Sequence, residues 1–238
     1  MRLYYVRHGE PIYEPDSLTK LGEAQAKALV SRLGEIKFDK VFVSSSKRAI
    51  LTAIPTCEKQ NIEYEILDWC NEKYAGEEFM DYDSHGKRYF MKDCDNYKKL
   101  FVSREIEDMG FSWYEHPAFK DKKCKSGIKR IAAKSDEFFA NLGYTHDTEK
   151  HCFITKKPVF ENVAIFAHAG FGSVFLSHIL DIPYPIFCTR FTMCHSGITV
   201  IDFEDIDGIV IPKILTYSND SHIKMAGLQA KWPFNIEI

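Results

Sequence analysis

The stretch YYVRHGE, residues 4–10, sets a short apolar run directly against an arginine, a histidine and a glycine. An apolar run of that length reads as a buried strand, and open α/β sheets place their chemistry in the crevice at the carboxyl ends of such strands. Arg7, His8 and Gly9 therefore stand where a site is expected. Two further runs repeat the arrangement: KVFVS (40–44) ends on Ser44 with Arg48 just beyond, and VAIFAH (163–168) ends on His168. VAIFAH is apolar almost throughout, as a central strand covered on both faces should be.

The intervening segments supply the helices. SLTKLGEAQAKALVSRLGEI (17–36) predicts a helix entered at Thr19 and ended near Gly34, with an apolar stripe of Leu21, Ala24, Ala28 and Leu29. SKRAILTAIPTCEKQN (46–61) predicts a second helix, kinked in its middle by Pro55. IEYEIL (62–67) alternates as a strand does. From about residue 80 to 157 the composition shifts to crowded aromatic, lysine and acidic residues with helical spacing, which predicts a helical insertion or lid. GSVFLSHIL (172–180) predicts a helix after VAIFAH. ITVIDF (198–203) and IVIPKILTY (209–217) predict a closing hairpin. The expected fold class is α/β, a three-layer sandwich with a mostly parallel central sheet and a helical insertion, in one domain over 1–238.

Composition narrows the function. The 238 residues are 45% hydrophobic and 27% charged with a net charge of −3, values that suit a well-filled core and give no argument for nucleic acid or an anionic membrane. No apolar stretch reaches the length of a membrane span and the N-terminus turns polar too soon for a secretory signal, so the expected location is cytoplasmic. Seven cysteines, odd in number and without a C-x-x-C pair, read as reduced thiols. Cys124, His146, His151 and Cys152 match no compact zinc spacing, so no metal and no cofactor are expected.

If the three strands are parallel neighbours, their tips bring two imidazoles and two guanidinium groups together. Such a cluster makes a poor core, because like charges in a buried place need neutralising. A phosphate dianion does this: Arg7 and Arg48 offer planar forks of donors, and N–H groups at the helix start after Ala169 and Gly170 offer more. Gly9 leaves room beside His8. A neutral imidazole is a competent nucleophile toward phosphorus, and neighbouring cations keep it unprotonated.

RHGE (7–10), LTKLGEAQAKAL (18–29), VSSSKRAILTA (43–53) and FAHAG (166–170), in that order, resemble the histidine phosphatase superfamily, the phosphoglycerate-mutase-like proteins. The resemblance covers roughly 1–79 and 158–222. It implies that His8 forms a phosphohistidine, that Arg7, Arg48 and His168 hold the phosphoryl group, and that Glu72 is the proton donor, since CNEKYAG (70–76) resembles the family stretch with a glutamate four residues before a glycine. Glu77, Glu78 and His85 are rival acids. The tail YSNDSHI (217–223) resembles that of the broad-specificity and α-ribazole phosphatase branch. Pro11 and Glu14 stand where the family has a threonine or serine and an asparagine, Ser44, Ser45 and Ser46 where it has Ser-Pro-Leu, and His195 where asparagine is common.

The resemblance thus implies a metal-independent phosphomonoesterase acting on a small phosphate ester, with a phosphomutase or a non-catalytic phospholigand-binding module as alternatives. It leaves the substrate and the oligomeric state open. The basic stretch KDKKCKSGIKR (120–130) reads as a solvated helix entry, or else as a contact for a second phosphate.

Overall fold

The computed structural model describes residues 1–83, 85–156 and 160–232. The residues whose apolar pattern predicts strands form one six-stranded sheet. Its members are β1 (Arg2–Arg7), β2 (Lys40–Ser44), β3 (Tyr64–Leu67), β6 (Asn162–Ala167), β7 (Ile198–Asp202) and β8 (Lys213–Asn219), in the order β8-β7-β1-β6-β2-β3. β1, β6, β2 and β3 are mutually parallel, while β7 and β8 run antiparallel at one side. The register aligns Arg7 with Ala167 and Phe166 with Val43, so the carboxyl ends of β1, β6 and β2 finish side by side.

Alternation along each strand divides the core between the two faces of the sheet. Tyr4, Val6, Val41, Val43, Ala164 and Phe166 pack with Leu29 and Leu33 of α1 (Lys20–Leu33) and with Ala49 and Ala53 of α2 (Lys47–Gln60). Leu3, Tyr5, Phe42, Val163 and Ile165 pack on the other face. They meet α3 (Glu72–Phe79), α4 (Cys124–Asn141) and α5 (Ala169–Ile179) through Phe79, Phe138, Phe139, Phe171 and Phe175. This is the expected three-layer α/β arrangement.

Local chemistry sets the helix ends. Thr19 caps α1 by accepting the Gly22 N–H, and the chain leaves at Gly34. The buried stripe of α1 is Gly22, Gln25, Ala26, Leu29 and Leu33 rather than Leu21, Ala24 and Ala28 with Leu29. The rotation has a polar cause: Gln25 turns inward so that its Oε1 accepts the Glu10 N–H at 2.8 Å. α2 runs unbroken through Pro55 over its 14 residues.

The 80–157 segment, expected to be a helical insertion, is less helical than its composition predicts. Beside α4 and the short helices Asp95–Phe101 and Arg104–Met109 it holds the hairpin Met80–Tyr82/Arg88–Phe90, and the strands β4 (Tyr144–Asp147) and β5 (Cys152–Thr155). β5 also pairs with Ile209–Val210, so the start of IVIPKILTY leaves the central sheet and only Lys213–Asn219 forms the hairpin with β7. Polar Thr145, His146 and Asp147 hide this strand from a search for apolar alternation. Three of the six cations of the 120–130 stretch form ion pairs: Lys122 meets Asp81, Lys125 meets Glu115, and Arg130 makes a two-pronged pair with Glu78.

Candidate active site

Strand adjacency brings Arg7, His8, Ser46, Arg48, Glu72, Ala169, Gly170 and His195 to one cleft of about 860 Å³ at the carboxyl edge of the sheet. Arg7 and His8 stand at the tip of β1, Ser46, Arg48, Glu72, Ala169 and Gly170 at the starts of α2, α3 and α5, and His195 in the turn before β7. His8 directly follows β1 and His168 directly follows β6, and their ring centroids lie 5.1 Å apart.

The hydrogen bonds fix the imidazole tautomers. His8 Nδ1 lies 2.7 Å from the Gly9 carbonyl, which can only accept, so Nδ1 carries the proton and Nε2 of the neutral ring keeps its lone pair. The Arg48 guanidinium donates to His168 Nδ1 at 3.3 Å, so the neutral His168 donates from Nε2 to Ser44 Oγ at 2.8 Å, with Ser46 Oγ at 3.2 Å. Arg7 donates to His195 Nε2 at 2.8 Å and to the Met193 carbonyl at 2.5 Å. His195 Nδ1 then carries a proton. It is buried without a partner among the described residues, as are Arg7 Nε and Arg48 Nε.

Electrostatics keeps these rings neutral. Burial, then His168, Arg7 and Arg48, hold His8 well below the ordinary histidine value. Burial, Arg48 and Arg7 do the same to His168. His195 is pushed down to about 2 by burial, Arg7 and Lys231.

Glu72 is the first residue of α3, and its two carboxylate oxygens accept the N–H groups of Gly170 and Phe171, each at 2.8 Å. Those N–H groups face a carboxylate rather than being left for phosphate, which corrects the expectation for this helix start. Burial raises the Glu72 carboxyl, while the two N–H groups and the guanidinium groups of Arg48 and Arg7 pull it partly back. Of the rival acids, Glu77 lines the cleft, Glu78 is held by Arg130, and His85 is exposed on the hairpin turn.

Gly9 works differently from the expectation. Its N–H donates to Thr52 Oγ1 at 3.0 Å, its carbonyl orients His8, and a Cβ there would lie 2.7 Å from the Gly22 carbonyl oxygen. The glycine admits α1, not a ligand. Ala169 lines the cleft.

Several participants escape sequence reasoning. Asp16 accepts from Arg48 at 2.7 Å and from the Lys47 N–H at 2.8 Å. Asp16 and Tyr13 line the cleft, whereas Pro11 pairs with Leu18 in a small hairpin and Glu14 is exposed. The Tyr5 hydroxyl donates to the His168 carbonyl at 2.6 Å and accepts the His168 N–H at 3.3 Å. Met80, Arg88, Phe90, Lys92 and Asp93 of the insertion form the outer wall. The tail motif acts as scaffold: His222 Nε2 meets Ser196 Oγ at 2.9 Å, and the Ser196 N–H donates to the His8 carbonyl at 3.0 Å.

Histidines and arginines gathered at the carboxyl edge of a parallel sheet, with buried donors unmet, define an anion-handling α/β protein. The family model of the histidine phosphatase superfamily (branch 1) matches residues 3–137, and the chain belongs to that family. Its class of activity is phosphatase chemistry on small phosphorylated compounds. The match runs well into the 80–157 segment, beyond the span that the sequence motifs cover. The adenosylcobalamin/α-ribazole phosphatase of Salmonella typhimurium is 27% identical over 195 residues, 77% of this chain and 81% of that protein. That of Escherichia coli K12 is 23% identical with the same coverage. Among solved structures, the phosphoserine phosphatase of Entamoeba histolytica superposes with a TM-score of 0.59 at 15% identity, covering 93% of this chain and 98% of that one. A putative α-ribazole-5'-P phosphatase from Escherichia coli gives 0.57 at 18%, covering 92% and 97%. At such identities the shared feature is the fold.

Proposed function

We propose that the protein is a phosphomonoester hydrolase that works through a phosphohistidine on His8, without a catalytic metal. The observation that carries this reading is the bond from His8 Nδ1 to the Gly9 carbonyl, which leaves Nε2 as the nucleophilic atom in a cleft where burial and the neighbouring cations keep the ring neutral. In the first half-reaction Nε2 attacks phosphorus, the N–P bond forms and the P–O bond to the alcohol breaks. Glu72 passes its carboxyl proton to the leaving alkoxide. In the second, Glu72 takes a proton from water, the water oxygen bonds to phosphorus, and the N–P bond breaks to release phosphate.

Arg7 Nε, Arg48 Nε and His195 Nδ1 are the donors that a phosphoryl group would satisfy, and they supply the charge stabilisation that a metal supplies elsewhere. His168 joins them from its place beside Arg48. Asp16 and Tyr5 are positioning residues, one for Arg48 and the other for the His168 backbone.

The insertion is read as a lid that shapes the substrate pocket. Tyr13, Met80 and Phe90 offer apolar walls, with Arg88 as a cation, while Lys92 is paired with Asp93 at 2.8 Å. Such a cleft suits a phosphate ester with a ring-bearing alcohol. The bacterial relatives make α-ribazole phosphate the first member of a test panel, beside phosphoserine and simple sugar phosphates. Steady release of inorganic phosphate from one of them, surviving chelation, supports the proposal. Phosphoryl shuffling without release would mean a mutase, and binding without either would mean a phospholigand module.

A further inference from the structure

A second group of chemistry-bearing side chains lies away from the cleft. Asp136 on α4, His146 on β4 and His178 in the last turn of α5 meet at one point. Asp136 Oδ1 lies 2.7 Å from His178 Nε2 and 3.0 Å from His146 Nδ1, and those two nitrogens are 3.3 Å apart. None of the three lines the active-site cleft. His178 follows His168 by ten residues, about 15 Å along a helix.

We propose that Asp136, His146 and His178 form the protein face of a second, non-catalytic site for a divalent transition metal, zinc by its donor set, which clamps the insertion to the far end of α5. Three independent features support this. The first is spacing: in tetrahedral zinc with metal–ligand distances of about 2.0–2.1 Å, neighbouring donors sit about 3.3 Å apart. The nitrogen pair already has that spacing, and the carboxylate oxygen needs to withdraw by only about half an ångström.

The second is tautomer control. His146 Nε2 lies 3.1 Å from Asp181 Oδ2, a carboxylate that only accepts, so Nε2 keeps a proton and Nδ1 is the atom that faces the convergence point and would ligate a metal. An outer carboxylate that orients a ligating histidine is the usual support of a metal ligand. The His146 ring is further fixed by stacking on Phe153, with centroids 4.3 Å apart and planes 7° apart.

The third is access. The His146 side chain is fully buried and that of His178 is 18% exposed, but Asp136 is 41% exposed, so an ion and a completing water can enter from its side. The His146 and His178 nitrogens face the Asp136 carboxylate, which only accepts, and zinc would displace the protons held between them, so binding should release protons. Two imidazoles and a carboxylate satisfy zinc, whereas the thiols of Cys124 and Cys152 are buried and do not belong to the group.

The test is a calorimetric titration of the metal-stripped full chain with zinc. The wild type should bind one zinc per chain with proton release and a raised melting temperature. Asp181→Asn should weaken binding about ten- to hundredfold, and His178→Ala should abolish both binding and the thermal shift. His8→Ala should bind as the wild type does, which separates this site from the catalytic histidines. As a check free of any folding defect, cobalt bound to the wild type should show tetrahedral d–d bands. X-ray absorption of the zinc form should show two imidazoles. Absence of zinc binding, a zinc shell with thiolate, or full binding by His178→Ala would overturn the proposal.

Discussion

Glu72 sits between opposing influences. Burial favours its neutral acid, while two backbone N–H groups and the arginine charges favour its carboxylate. A group so balanced can give a proton in one half-reaction and take one in the next. Glu72→Gln keeps size and hydrogen bonding but removes the proton, so the burst of alcohol from an alkyl phosphate should fall by about 10²–10⁴. The burst of nitrophenolate from 4-nitrophenyl phosphate should fall far less, because that leaving group needs little protonation. Equal losses measured by rapid quench would reduce Glu72 to a structural part. Gly170 tests the same carboxylate from the other side, since a Cβ there would lie 2.6 Å from Glu72 Oε1 and 2.4 Å from the Phe90 ring. Gly170→Ala should displace Glu72 and slow the alkyl burst by about tenfold or more, with a smaller effect on the aryl ester.

At the level of elements, the approach of α1 to the loop after β1 holds His8 in place. Gly22 is the contact: a Cβ there would lie 2.2 Å from the Glu10 carbonyl oxygen, a backbone atom that cannot step aside. Gly22→Ala should therefore destabilise the fold by roughly 1–3 kcal/mol despite its better helix propensity, read as a lower urea midpoint. An unchanged or raised midpoint would contradict this packing. The same scale explains what the sequence made legible. β1, β2 and β6 announce themselves because both faces of each are buried, and Arg7, His8, Arg48 and His168 are legible because they adjoin those strand ends. Glu72 shows in no strand or helix pattern and is legible only through family resemblance. Asp16, Tyr5 and Gln25 act through partners 32, 163 and 15 residues away, and local pattern carries no trace of such pairings. β4 was missed because its one apolar residue, Tyr144, leaves no alternation to read.

Across the whole molecule, the charge pattern links stability to pH. His8, His168, His195 and His222 all hold folded-state values below that of an unfolded histidine, the last at about 4 because of burial. The unfolded chain therefore binds more protons below about pH 6.5, and stability should fall as pH drops from there toward 4, by up to about 1.4 kcal/mol per pH unit for each histidine kept neutral. Urea midpoints at pH 7 and pH 5 check this, and a midpoint that rises on acidification would contradict it. Bound phosphate should oppose the loss, since it binds only the folded state. The same neutrality is what gives His8 its nucleophilic lone pair, so one measurement reaches the centre of the account. The protein is mixed with a phosphate ester that it hydrolyses, quenched without acid within the burst, digested and examined by mass spectrometry. The account predicts a phosphoryl group on His8, stable to alkali and labile to acid, and absent from a folded His8→Ala variant. A phosphoryl group on Ser44 or Cys70, or turnover that persists in His8→Ala, would contradict it.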